Sequence, residues 1–181
     1  MNETLKEVLK TSLYFLGLLL VALFIVTFIG QRTVVDGNSM NDTLFDKDNL
    51  IVDKITYRFK DPQRFDVIVF PYQKSTRNYF IKRIIGLPGE TVYIDDDGNI
   101  FINDVLLEED YGKEVIRDPG IASKPILLGE NEYFVMGDNR NDSFDSRFYA
   151  VGNINRKEII GRAWLRVYPF NKIGFVKKKD K

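Results

Sequence analysis

The chain has 181 residues, 44% of them hydrophobic, with 26 Lys plus Arg balanced by 26 Asp plus Glu. That length suits one anchored domain or two small lobes, and the charge balance offers no basic surplus for nucleic acid. Neither cysteine nor histidine occurs, which excludes disulfides, thiol catalysis, Ser-His-Asp relays and any metal site held by Cys or His. A proton relay in this chain has only Lys, Asp, Glu or Tyr to draw on.

Leu13–Gly30 (LYFLGLLLVALFIVTFIG) is an uncharged run of 18 residues between Lys10 and Arg32. At about 1.5 Å per residue it spans most of a hydrocarbon core of about 30 Å. A cleaved leader is the competing reading, but no small-x-small site follows in Gln31-Arg32-Thr33-Val34. The expectation is a retained single-pass anchor over 13–30. Lys6 and Lys10 favour cytoplasmic placement of residues 1–12, with 31–181 outside the membrane.

From Thr33 onward the pattern changes to short β-branched runs with turn signals between them. Strands are expected at Asn49–Tyr57, Phe65–Phe70, Asn78–Ile85, Glu132–Met136 and Ala163–Val167, with a turn at Gly86–Gly89. Thr91–Ile94 and Asn99–Asn103 flank Asp95-Asp96-Asp97-Gly98, a hairpin signal because Asp-Gly tolerates positive φ. Residues 104–124 read as a polar excursion or small lobe, and Lys177–Lys181 as a solvated end. The fold class is mainly β, an antiparallel sheet domain preceded by one transmembrane helix.

Four segments carry residue choices that chemistry could use. In Val35-Asp36-Gly37-Asn38-Ser39-Met40-Asn41-Asp42-Thr43-Leu44 a serine follows a Gly-Asn bend. There its hydroxyl can sit beside backbone N–H groups, although a plain turn reads the same way. In Tyr79–Glu90, strand alternation puts Phe80, Lys82 and Ile84 on one face and Arg83 on the other. A lysine between apolar neighbours can lose its charge by desolvation, or it can snorkel to water. Gly137–Arg147 is dense in hydrogen-bonding groups, either as a brace or as a charged surface turn. Arg64–Phe70 reads as a core strand with a capping Arg/Asp pair.

Taken in order, Gly-x-Ser-Met-x-x-Thr-Leu, Arg-x-Asp-Val-Ile-Val-Phe, Ile-Lys-Arg-Ile-Ile-Gly-Leu-Pro-Gly-Glu and Gly-Asp-Asn-Arg-x-x-Ser-x-Asp-Ser-Arg resemble type I signal peptidase. Behind an anchor, and extended by Gly152–Ala163, the likeness covers most of the chain. Its single span and modest length are similar to the short bacterial forms.

The resemblance implies a membrane-bound serine endopeptidase that removes signal peptides from exported preproteins, without cofactor or metal. Ser39 matches the nucleophile and Lys82 the general base. Ser143 matches a serine that orients the lysine, and Asp145 with Arg147 a supporting ion pair. Val35, Met40, Leu44 and Ile81 match positions lining shallow pockets for the small −1 and −3 residues of the substrate. Its partners would be signal peptides and the lipid bilayer. The Ser39 N–H would serve the oxyanion, while the position that supplies a second donor in some members is Gly37. Asp42 stands where proline is usual, and Phe65 where glycine is frequent. A catalytically impaired peptide-binding module is the alternative, and a self-cleaving Ser/Lys repressor a more distant one.

Overall fold

The structure is a computed structural model and describes residues 3–24, 30–72 and 79–176. It begins with helix α1, Glu3–Phe24. At about 1.5 Å per residue α1 is about 33 Å long, and its leucines, valines and phenylalanines are exposed throughout. Among the described residues it is the one helix long and apolar enough to cross a membrane. The apolar run expected over 13–30 therefore begins its helix ten residues earlier. Its residues 25–29 lie outside the described set, and Gly30 already belongs to a strand.

That strand is β1, Gly30–Val34, and β2 follows at Asn49–Asp53. The expected strand over Asn49–Tyr57 stops short because the Asp53 carboxylate accepts the N–H groups of Ile55 and Thr56, each at 3.0 Å. The chain turns there into α2, Thr56–Phe59. β3 is Val67–Pro71 and β4 is Tyr79–Gly86. Phe65, expected in the strand, instead lies at φ +70° in the turn before it. This left-handed conformation costs an L-residue roughly 1 kcal/mol or more. The Arg83 Nη1 donates to the Phe65 carbonyl at 2.8 Å, and the Phe65 ring lies 5.0 Å from that of Tyr111. Asn78 falls outside the described residues.

Gly86 ends β4 rather than opening a turn. A Cβ there would meet Val92 at 2.5 Å and Leu128 at 2.7 Å, so only glycine lets the second sheet approach this closely. That sheet comprises β5 (Thr91–Ile94), β6 (Ile100–Ile102), β7 (Val105–Leu106) and β8 (Ile126–Leu127), in the order β7-β6-β5-β8. The β5–β6 hairpin turns as expected through Gly98, at φ +81°. β9 (Glu132–Met136), β10 (Ile154–Asn155), β11 (Gly161–Tyr168) and β12 (Gly174–Phe175) complete the set of described strands. The larger sheet runs β1-β2-β11-β3-β4-β9-β10, with β12 added on β11. All its pairings are antiparallel.

Both faces of the larger sheet are covered. Val67 and Val69 of β3 join Val35, Met40, Leu44, Leu50, Val52, Ile81 and Ala163 on one side. Ile68 and Phe70 join Tyr57, Ile84, Tyr133, Val135 and Ile154 on the other. This explains why β3 reads as a continuous apolar run instead of an alternating one. A third cluster, from Ile85 and Val92 to Phe134 and Met136, joins the two sheets. The tail 177–181 lies outside the described residues.

Candidate active site

The segment between β1 and β2 bends at Gly37, at φ +91°, and carries Ser39. Tight turns follow it: the Asn41 N–H donates to the Asn38 carbonyl, and those of Thr43 and Leu44 to the Met40 carbonyl. A cis peptide joins Asn41 to the exposed Asp42. Met40 and Leu44, each 1% exposed, pin this segment into the core.

Lys82 stands in mid-β4 opposite Ile68 of β3. Its Nζ lies 2.7 Å from the Ser39 Oγ, across 43 residues of sequence. The side chain is buried, 5.0 Å from the centre of the Phe80 ring. Burial pulls its pKa down to about 8 from 10.5, against the opposing pull of the Asp145 and Asp138 carboxylates.

The Gly137–Arg147 loop forms the third side. The Asn139 N–H donates to the Ser39 carbonyl at 3.0 Å, and the Asn139 Nδ2 donates to the Asn38 carbonyl at 3.2 Å. Asp145 is fully buried and fully occupied. It takes Nε and Nη2 of Arg147, each at 2.9 Å, the Gly137 N–H at 3.0 Å and the Ser143 hydroxyl at 2.7 Å. The Arg147 guanidinium also donates to the Asp118 and Arg140 carbonyls. Ser143 thus bonds to Asp145, and among the described residues no hydrogen bond joins it to Lys82. It adjoins Ser39 through Gly137, where a Cβ would lie 2.3 Å from the Ser143 Oγ and 2.4 Å from the Ser39 carbonyl oxygen.

A cleft of about 170 Å³ opens over the pair, lined by Val34, Val35, Asp36, Ser39, Met40, Tyr79, Phe80, Ile81, Lys82 and Phe144. Of the four pocket positions expected, Val35, Met40 and Ile81 line it. Leu44 lines a separate cavity of about 340 Å³ with Asp42, Tyr111 and Arg166, which contains neither Ser39 nor Lys82. Among the described residues, no group of three or more carboxylates could hold a metal ion.

Alternation turns Arg83 away from Lys82, which on a half-exposed strand would place it in water. Instead it is 1% exposed. Its Nε and Nη2 donate to Asp138 at 2.8 and 2.7 Å, Nη2 reaches Thr43 at 3.2 Å, and its guanidinium lies 3.8 Å from the centre of the Tyr111 ring. Tyr111 comes from the 104–124 excursion, which wraps back over the site. From its flank Glu109 pairs with Arg140 at 2.7 Å, and the Ile121 N–H donates to the Arg147 carbonyl. The one sequence signal for this brace was the cluster of charges between 137 and 147.

A half-buried serine in contact with a buried lysine has the chemistry that a serine hydrolase needs to work without histidine. The family model described as Signal peptidase, peptidase S26, matches residues 6–168. Signal peptidase I of Leptolyngbya laminosa is 41% identical over 181 residues, covering 96% of this chain and 84% of the relative. Signal peptidase I P of Bacillus subtilis subsp. natto is 36% identical, covering 87% and 88% respectively. A crystal structure of a signal peptidase I from Enterococcus faecalis V583 is 36% identical over 57% of this chain and 97% of its own, with a TM-score of 0.44. The chain belongs to the signal peptidase family, peptidase S26, and is a serine endopeptidase of that family.

Proposed function

We propose that the chain cleaves signal peptides from exported preproteins with Ser39 as nucleophile and Lys82 as general base, held at the outer membrane surface by α1. The observation that carries this reading is the 2.7 Å contact between Lys82 Nζ and Ser39 Oγ, made by a lysine that burial has shifted toward its neutral form. With the amine neutral, the hydroxyl donates to Nζ. As Oγ attacks the scissile carbonyl carbon, its proton passes to Lys82, and the oxyanion accepts the Ser39 N–H. Among the described residues that N–H has no other acceptor, whereas the Gly37 N–H is occupied by Asp46 at 2.9 Å.

Collapse of the tetrahedral adduct breaks the C–N bond, and Lys82 returns the proton to the leaving amine. It then deprotonates the water that hydrolyses the acyl-serine. Ser143, Asp145 and Arg147 keep the loop beside Ser39 in place. Val35, Met40 and Ile81 offer a shallow apolar surface suited to small −1 and −3 side chains. β1 leads from Gly30 toward Ser39 over five extended residues, about 17 Å. This keeps the chemistry close to where the anchor leaves the bilayer. Lys6 and Lys10 support a cytoplasmic N-terminus.

The test uses detergent-solubilised full-length protein and a preprotein with small residues at −1 and −3. The wild type releases the mature product, while Ser39→Ala and Lys82→Ala give none and keep the native thermal transition. Appreciable cleavage by either variant overturns the dyad. A wild type that binds the preprotein without cutting it makes the chain a peptide-binding module.

A further inference from the structure

The cleft over Ser39 has two chemically different walls. On one side Ile81 packs with Val35 and Met40. On the other face of β4 stand Phe80 and Lys82, and there the wall is aromatic. Phe80 stacks on Tyr72 with ring centres 4.6 Å apart and planes at 15°. Tyr72 meets Phe144 edge to face at 6.2 Å and 73°, and Phe144 leans on Phe148 at 5.0 Å. Phe144 lines the same cleft as Ser39 and Lys82 and is 40% exposed there. The residues on either side of it are tied down, the Ser143 hydroxyl and the Arg147 Nε both donating to the Asp145 carboxylate, so the ring is presented from a fixed support. The aromatic wall also borders a second opening of about 540 Å³, lined by Tyr72, Tyr79 and Phe80 opposite Gln31–Val34 of β1.

An extended peptide alternates its side chains between two sides. If its −1 and −3 residues face Val35, Met40 and Ile81, its −2 residue faces the opposite wall. The geometry points to Phe144, backed by Tyr72 and Phe80, as a specificity-determining residue that selects a large apolar or aromatic side chain at −2 of the substrate. This rests on the peptidase reading above. The neighbouring opening leaves room for bulk, and a ring set between Phe80 and Phe144 gains aromatic contacts that a small or charged residue does not. The interaction is half-open to solvent, so the selectivity is moderate, about threefold to tenfold in kcat/KM.

The experiment measures kcat/KM for preproteins identical except for Phe, Leu, Ala, Gln or Lys at −2, using full-length wild type, Phe144→Ala and Phe144→Leu. The wild type is expected to prefer Phe and Leu over Ala, Gln and Lys. Phe144→Ala is expected to flatten that order, and Phe144→Leu to keep Leu while losing the advantage of Phe. The readout is the ratio between substrates, so a lower absolute rate in a variant does not disturb it. Equal cleavage of all five substrates by the wild type overturns the inference and leaves the peptidase reading intact. So does an order that Phe144→Ala leaves unchanged. Failure of the wild type to cut any of the five sinks the peptidase reading itself.

Discussion

Arg83 and Asp138 meet in a two-point ion pair, 2.8 Å from Nε to Oδ1 and 2.7 Å from Nη2 to Oδ2, with side chains 1% and 0% exposed. Arg83 is the neighbour of Lys82 on β4, and Asp138 precedes Asn139, whose N–H holds the Ser39 carbonyl. Thr43 donates to the same carboxylate from the segment that carries Ser39. One buried pair therefore joins the strand that carries Lys82 to the loop that holds the Ser39 carbonyl.

Breaking that pair from one side leaves an uncompensated buried charge. Arg83→Met or Asp138→Leu alone is expected to cost about 3–5 kcal/mol, and the Arg83→Met/Asp138→Leu double variant to recover much of it. Thermal denaturation checks this. At about 2–4 °C per kcal/mol for a domain of this size, the single variants should melt about 10 °C lower. Equal losses that simply add in the double variant contradict the coupling.

The pH dependence follows from the buried amine. In the proposed mechanism Lys82 takes the serine proton only when unprotonated, and burial lowers its pKa to about 8. Processing should therefore rise about tenfold per pH unit between 6 and 7.5, bend near 8 and level off above it. Initial rates on one preprotein from pH 6 to 9.5 measure this. A limb still rising steeply at pH 9.5 would mean that burial does not lower the pKa of Lys82.

The same burial predicts an inactive but sturdier variant. Below pH 8 the folded chain holds a protonated, desolvated Lys82, and the unfolded chain binds that proton more readily. Between about 8 and 10.5 the unfolded state carries more protons, so the wild type gains stability as pH rises through this window. Lys82→Met escapes the penalty. It should exceed the wild type by about 1–3 kcal/mol at pH 7, with the margin shrinking toward pH 10. Melting curves at pH 7 and 9.5 decide it, and a pH-independent difference argues against a desolvated lysine.

Gly137→Ala tests how tightly Ser39 is placed. The new Cβ would lie 2.4 Å from the Ser39 carbonyl oxygen and 2.3 Å from the Ser143 Oγ, so either the Ser39 backbone or the 137–147 loop must shift, and the expected outcome is movement of Ser39. A displacement of about 1 Å at a reacting group costs on the order of a hundredfold in rate. kcat should fall by that order while KM changes little. Wild-type kcat in this variant would show that the loop gives way without disturbing Ser39.

Local chemistry made much of this protein legible before folding was considered. The uncharged run, the Asp-Gly hairpin, the apolar strand after Arg64 and the four ordered blocks each rest on neighbouring residues, where period, turn preference and composition act directly. The absence of histidine and cysteine narrowed the chemistry further, but residue type left Ser39 readable as a plain turn and Lys82 as a snorkelling lysine, and only the resemblance carried by the ordered blocks singled them out. Strand ends and short pairings were less legible. Asp53 halts β2 through a side-chain cap, and β7, β8, β10 and β12 are two-residue strands defined by their partners. Tertiary structure alone decided the rest, because it depends on contacts between distant segments. It brought Ser39 within 2.7 Å of Lys82 and sent Ser143 to Asp145 instead of Lys82. It also placed Leu44 outside the cleft and turned Arg83 into a buried link, because the excursion carrying Tyr111 folds back over the face of β4 that alternation alone would have left to solvent.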